Sequence, residues 1–132
     1  MEKVNLSGIT KNSKCAYLIS CLFDARNQVH VYHLQTTSFA AHKALNEFYD
    51  EIVDLTDRFA ESAQGKYGII RGYKPEMKEY DESGNAIEFL KMKLKTVEKY
   101  REMFSDAPYL QQVIDDIIEL FNSTLYKLIN LK

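Results

Sequence analysis

The sequence predicts a single all-α domain, a four-helix bundle with one long crossover between the second and third helices. Apolar residues recur every three or four positions in four segments, which is the spacing of helices with one buried face. Two links between these segments are short, whereas the middle link is about twenty residues long. No segment alternates like a β-strand, and 132 residues suffice for one core but not two.

The first two helices are predicted over residues 13–34 and 38–62. Asn12 or Ser13 is a suitable N-cap for the first helix, because a short polar side chain can accept a bond from a free backbone N–H. Only a short turn separates the two helices, so they must be antiparallel neighbours. The apolar face of the second helix consists of Ala41, Leu45, Phe48, Ile52, Leu55 and Phe59.

Residues 64–84 are predicted to form the crossover, because glycines, a proline and three tyrosines interrupt the helical pattern. A link of that length in a bundle runs from one end to the other. Helices over 86–104 and 107–130 follow, with Asn85 and Asp106 as their N-caps. The tyrosines line either an interface or a small loop core, and they are Tyr67, Tyr73 and Tyr80.

Charge and hydropathy limit the possible partners. The 17 basic and 19 acidic residues give a net charge of −2, so we expect no tight binding to duplex DNA. A basic stripe of Lys91, Lys95 and Lys99 is more typical of a solvated helix face. No apolar run approaches a membrane span, and no signal peptide is recognisable, so we expect a cytoplasmic protein. Cys15 and Cys21 are expected to be reduced core thiols.

The second helix carries an unusual stripe on the side opposite to its apolar face. His42, Asn46, Asp57 and Glu61 share this stripe with apolar side chains, as on a contact surface that carries ligands. The fifteen residues from His42 to Asp57 rise about 22 Å, too far for one metal ion to join them. A second, antiparallel copy of the helix brings Asp57 and Glu61 beside the other chain's His42. The apolar members of the stripe are Phe39, Tyr49, Val53 and Ala60.

Three short motifs resemble the signature of the mini-ferritins called Dps, which reads Tyr-His-Trp-Asn, His-x3-Asp and Asp-x-x-Ala-Glu-Arg. The matching pieces here are YHLQ at 32–35, His42-x3-Asn46, and DRFAES at 57–62. The resemblance implies a ferritin-like four-helix bundle with a long B–C crossover. It also makes His33 the ligand from the first helix, with His30 in reserve. Asn46 stands where the family has a carboxylate, so we expect weaker metal binding.

The resemblance implies iron as the metal, with His33, His42, Asn46, Asp57 and Glu61 around it. Imidazole and carboxylate ligands suit iron(II), and mini-ferritins oxidise it between subunits and store it in a twelve-subunit shell. The expected protein is therefore a homo-oligomer, a dimer at least, that stores iron and protects against oxidative stress. The alternative is a non-enzymatic ferritin-like structural or interaction protein, encoded by a phage or mobile element, with a degenerate metal site. Carboxylates in solvent and histidines that only pack or hydrogen-bond are the non-functional interpretation of the same residues.

Overall fold

A computed structural model describes the backbone of residues 2–132 and the side chains of residues 11–132. Across these residues the chain forms helices and loops without a strand, which confirms the predicted all-α class. A short 3-10 turn follows the third helix at Glu102–Phe104. The helices are α1 (Glu2–Gln35), α2 (Phe39–Tyr67), α3 (Ala86–Arg101) and α4 (Pro108–Asn130).

The four helices enclose one apolar core. Helix α1 packs against α2 and α3, and α4 packs against the same two helices, so α1 lies diagonally opposite α4. Two edge-to-face aromatic pairs join α2 to later parts of the chain. The ring centroids of Phe48 and Phe121 of α4 are 5.0 Å apart, and those of Phe59 and Phe104 of the 3-10 turn are 5.4 Å apart. All four rings are fully buried. Such rings bury large apolar areas, so the apolar stripe on α2 provides much of the packing that holds the bundle together.

The crossover, predicted over residues 64–84, occupies residues 68–85, because α2 continues to Tyr67 instead of ending near residue 62. Polar side chains of α1 hold the crossover backbone. The amide of Gln28 donates to the carbonyl of Asp81 at 2.8 Å and accepts from its N–H at 2.7 Å. Successive residues along α1 bond to successive residues along the crossover. The crossover therefore runs parallel to α1. Both α2 and α3 therefore run antiparallel to α1. The other backbone contacts join Asn12 to Ile69 and Arg71, Ser20 to Lys74, and Asp24 to Glu76.

Several helix ends differ from the predicted ones. Helix α1 begins at Glu2 rather than near residue 13, and the Asn12 amide contacts the crossover instead of capping. Asp106 does not cap α4, which begins after Ala107 without a side-chain cap. The predicted cap at Asn85 is confirmed, because its side chain accepts from the N–H of Glu88 at 3.2 Å.

At the end of the bundle opposite to the α1–α2 turn, a polar cluster connects α1 and α2 to the segment between α3 and α4. The Lys11 ammonium donates to the carboxylate of Asp106 at 2.6 Å and to the carbonyl of Met103. The Tyr67 hydroxyl donates to the same carboxylate at 2.9 Å. The bond from Lys11 is the main cause that lowers the pKa of Asp106, and Tyr67 adds to it. Asp106 therefore joins α1 and α2 rather than beginning α4.

Cys15 and Cys21 are both buried and form no disulfide, which agrees with the expected core thiols. The residues of the basic stripe, Lys91, Lys95 and Lys99, are exposed. No helix among the described residues is long and apolar enough to cross a membrane.

Replacing Gln28 with leucine removes both bonds to Asp81 and keeps a similar side-chain volume. We expect the free energy of unfolding to fall by about 1–3 kcal/mol, because a backbone N–H and a carbonyl lose their partners. Urea denaturation measures this change, with Gln112→Leu on the exposed surface of α4 as the matched control. Equal stability of Gln28→Leu and the wild type would show that these bonds do not hold the crossover.

Replacing Asp106 with asparagine tests the cluster at the other end through its pH dependence. The folded pKa of Asp106 lies below the ordinary value of 3.8, so its stabilising effect is present above that pH. The effect is lost as the pH falls through the lower, folded pKa. We therefore expect Asp106→Asn to be less stable than the wild type at pH 7 and equally stable near pH 2, measured by urea denaturation. A stability difference that stays constant with pH would contradict this assignment.

Candidate metal centre at the helical hairpin

Two histidines face each other where α1 and α2 meet. The three residues between the helices form a tight turn, and the Ser38 hydroxyl caps α2 by accepting from the Ala41 N–H at 3.2 Å. This turn brings the rings of His33 and His42 into a stack, with centroids 3.7 Å apart and planes inclined by 21°. His33 is only 7% exposed, whereas His42 is open to solvent. The structure therefore places these two predicted ligands side by side in one chain.

The hydrogen bonds of this pair identify which ring nitrogens are available. The Nδ1 of His33 is 2.8 Å from the carbonyl of His42, and the Nδ1 of His42 is 3.0 Å from the carbonyl of His33. A carbonyl can only accept, so each Nδ1 carries a hydrogen and donates. Each Nε2 of the neutral rings keeps its lone pair, and no protein group among the described side chains bonds to it. A histidine that binds a metal through one ring nitrogen usually donates the N–H of the other ring nitrogen to a carbonyl or carboxylate.

The reserve ligand His30 lies one helical turn away, against Tyr49. Its ring stacks on the Tyr49 ring at 4.2 Å and is 5.9 Å from the ring of His33. Burial and then the positive charge of Arg26 lower the pKa of His30, while the carboxylate of Asp50 acts in the opposite direction. The hairpin thus gathers all three histidines of the chain within two helical turns.

Asn46, which occupies the carboxylate position of the motif, has both ends of its amide occupied. Its oxygen accepts from the Tyr49 hydroxyl at 2.8 Å, and its NH₂ group donates to Asp50 at 3.1 Å. Sequence reasoning missed the roles of Tyr49 and Asp50. The available signal was their spacing, since residues three and four positions after Asn46 lie on the same helix face.

Asp57 and Glu61 lie farther along α2 and are exposed. The rise of α2 separates Asp57 from His42 by about 22 Å, so one chain does not bring the predicted ligands together. Within residues 11–132, no three histidine, cysteine, aspartate or glutamate side chains are grouped closely enough to hold a metal. Asp57 instead borders a small cavity of about 120 Å³ between α1 and α2, beside Phe23 and Val53. A single chain supplies only the histidine half of the predicted site.

Apolar side chains remain exposed around this half-site. Phe39 is 76% exposed and Leu34 is 70% exposed at the α1–α2 turn. Phe23 and Val53 are also exposed farther along the two helices, and Phe23 contacts Tyr73 of the crossover at 6.1 Å between ring centroids. Exposed apolar residues that share one side of a helical pair are typical of a surface that contacts another protein.

Comparison with known proteins gives a family and one relative of nearly equal length. Residues 33–128 match a family model described as "Family of unknown function (DUF5856)". A protein of Enterobacteria phage T4, described as "Uncharacterized 14.6 kDa protein in mobD-ri intergenic region", is 31% identical over 129 residues. The alignment covers 97% of this chain and 98% of the phage protein. No solved structure matches the chain.

The hydrogen positions assigned to His33 and His42 are directly testable by NMR. At a pH where the imidazoles are neutral, we expect both side chains to be the Nδ1–H tautomer, because each Nδ1 faces a carbonyl. Long-range proton–nitrogen correlation spectra of ¹⁵N-labelled protein distinguish the two tautomers. His42→Gln and His33→Gln variants assign the signals. An Nε2–H tautomer at either residue would contradict the reciprocal hydrogen bonds.

Proposed function

The chain belongs to the DUF5856 family, and we propose that it is a Dps-like protein that binds and oxidises iron(II) at a site shared by two chains. The observation that carries this proposal is the His33–His42 pair. Both rings are oriented by Nδ1–H bonds to carbonyls, which leaves two Nε2 lone pairs for a metal. If the two histidines served only in packing, there would be no need for both rings to keep Nε2 free of hydrogen bonds.

The helix connectivity supports a ferritin-like bundle. Helices α1 and α2 form one hairpin and α3 and α4 form another, while the long crossover lies between the hairpins. Ferritin-like bundles have one long connection of this kind, and they hold metals with side chains from facing helices. A fold alone does not assign an activity, so the proposal depends on the residues of the hairpin.

A second chain completes the ligand set. An antiparallel copy of α2, related by a two-fold axis near Glu51, lies with its Asp57 and Glu61 beside the histidine pair. Residues Asp57 and Glu61 are exposed and available for this contact. The exposed Val53 lies close to the same axis and supplies apolar surface to the dimer interface. Each dimer then contains two equivalent sites, and a larger shell of the mini-ferritin kind adds further contacts at other surfaces.

The donor atoms fit iron(II) as a substrate. Imidazole nitrogens with carboxylate oxygens are ligands that iron(II) accepts, and open positions allow it to pass an electron to an oxidant. Two iron(II) ions with hydrogen peroxide and two protons give two iron(III) ions and two water molecules.

Complementation between two inactive variants tests the shared site. We expect His42→Ala and Glu61→Gln each to lower the rate of iron oxidation by peroxide at least tenfold, because each removes one half of both sites. Mixed dimers of the two variants have one intact site, so subunit exchange should restore up to half of the wild-type rate per mixed dimer. The absorbance of iron(III) follows the reaction. Glu98→Gln, an exposed change on α3, is the control and should keep the wild-type rate.

Two results would reject the proposal. If His42→Ala oxidises iron at the wild-type rate, the histidine pair is not part of a site. If each variant is inactive but their mixture gains nothing under verified subunit exchange, the site is not shared between chains.

A non-enzymatic structural or interaction protein is the second candidate, and one observation favours it. The carbonyl of His33 is among the last four of α1 and has no helical partner, so the His42 ring acts as a cap. Such a cap retains the histidine pair without any metal. The near full-length similarity to a phage T4 protein supports the viral part of this alternative. It predicts that anaerobically supplied iron(II) does not bind and that His42→Ala affects stability alone.

A further inference from the structure

A pocket separate from the hairpin histidines lies between α1 and the first half of the crossover. Its volume is about 340 Å³, at the lower end of the range for small-molecule sites. Ser20 lies in its wall, and the thirteen residues from Ser20 to His33 rise about 20 Å along α1. This crossover pocket is therefore distinct from the proposed iron site. It is lined by Ser13, Ala16, Tyr17, Ser20, Arg71, Gly72 and Lys74.

Two hydrogen bonds to α1 hold the crossover side of this pocket in place. The Arg71 N–H donates to the amide oxygen of Asn12 at 3.2 Å, and the Lys74 N–H donates to the Ser20 hydroxyl at 3.0 Å. Gly72 lies between the two bonded residues with a φ of 93°, a conformation that other residues rarely adopt. The side chains of Arg71 and Lys74 are therefore carried by a segment whose two ends are fixed.

Both charged side chains that line the crossover pocket are cations, Arg71 and Lys74. Neither of them forms an ion pair with a carboxylate of residues 11–132. Lys74 also borders a neighbouring cavity that contains Asp24, whose Oδ2 accepts from the Glu76 N–H at 2.8 Å. The carboxylate of Glu76 is paired with the buried Lys93 at 3.6 Å. These two carboxylates have partners of their own, so the positive charge of the pocket is available to a ligand.

We propose that the crossover pocket binds the phosphate group of a small ligand, either free phosphate or a phosphate ester. The planar guanidinium of Arg71 can donate two parallel bonds to phosphate oxygens, and the Lys74 ammonium supplies a second positive charge. The exposed hydroxyl of Ser13 is a further donor. The partly exposed ring of Tyr17 provides an aromatic wall for the organic part of an ester. A phosphate monoester carries close to two negative charges at neutral pH, which matches the two cations.

The surroundings of the pocket favour a small ligand over a nucleic-acid strand. The crossover becomes acidic directly after the pocket, where residues 76–82 contain four carboxylates and one lysine. A strand that followed the crossover would bring further phosphates beside these carboxylates, and like charges repel. The net charge of −2 adds no general attraction for a polyanion. A ligand with a single phosphate group avoids this repulsion.

Equilibrium dialysis of the full chain with a metal chelator present tests the pocket with two radiolabelled probes, inorganic phosphate and adenosine monophosphate. We expect Arg71→Gln and Lys74→Gln each to raise the dissociation constant at least about fivefold, because each removes charge-assisted hydrogen bonds to the phosphate. Both changes keep the backbone bonds to α1. Lys78→Gln removes the same charge from an exposed crossover residue outside the pocket, so this matched control should bind like the wild type. Tighter binding of adenosine monophosphate identifies an ester as the ligand, and equal or weaker binding identifies free phosphate.

Several results would overturn this inference. If neither probe is retained at millimolar concentration, or if Arg71→Gln and Lys74→Gln both keep the wild-type affinity, the pocket does not bind phosphate. If Lys78→Gln weakens binding as much as Arg71→Gln does, the probes respond to general charge and not to a site. If a single-stranded oligonucleotide binds more tightly than either probe at physiological salt, the pocket belongs to a nucleic-acid surface instead.

Discussion

The position at which α3 begins, and so its direction, depends on hydrogen bonds between one face of α1 and the crossover backbone. A segment of eighteen residues without regular structure has many backbone N–H and carbonyl groups that need partners when it is packed against a helix. Ser20, Asp24 and Gln28 supply such partners at a spacing of four residues, so the crossover extends along α1. Helix α3 then starts at the same end of the bundle as α2. A crossover without these contacts would not specify where α3 begins.

Helical periodicity predicted the number and order of the helices correctly, because it reports which face of each helix is buried. Its errors concern side chains whose partners lie far away in the sequence. Asn12 contacts Ile69, 57 positions later, and Lys11 contacts Asp106, 95 positions later. Local capping rules favour Asn12 and Asp106 as caps, but these distant partners compete for the same side chains. No reading of the neighbouring residues alone reveals that competition.

At the hairpin site, too, the sequence predicted relations within one helix but not contacts between helices. Spacing along α2 identified His42 and Asn46 as members of one stripe, and the motif added His33. The motif did not predict that the two imidazoles stack at 3.7 Å or that each bonds the other residue's carbonyl, since both follow from the turn between the helices. The i, i+4 spacing allows the bond from Asn46 to Asp50, but the sequence does not specify the amide orientation that forms it. The assignment of Asp57 and Glu61 depends on a second chain and stays a prediction.

The burial of Cys15 and Cys21 determines how readily these two thiols can be oxidised. Burial raises the pKa of each thiol to about 11. At neutral pH only about one thiol in ten thousand is then a thiolate, which is the form that peroxide oxidises. Both cysteines also lie away from the exposed side of the hairpin, inside the bundle. Both thiols should therefore resist oxidation to sulfenic acids and to disulfides.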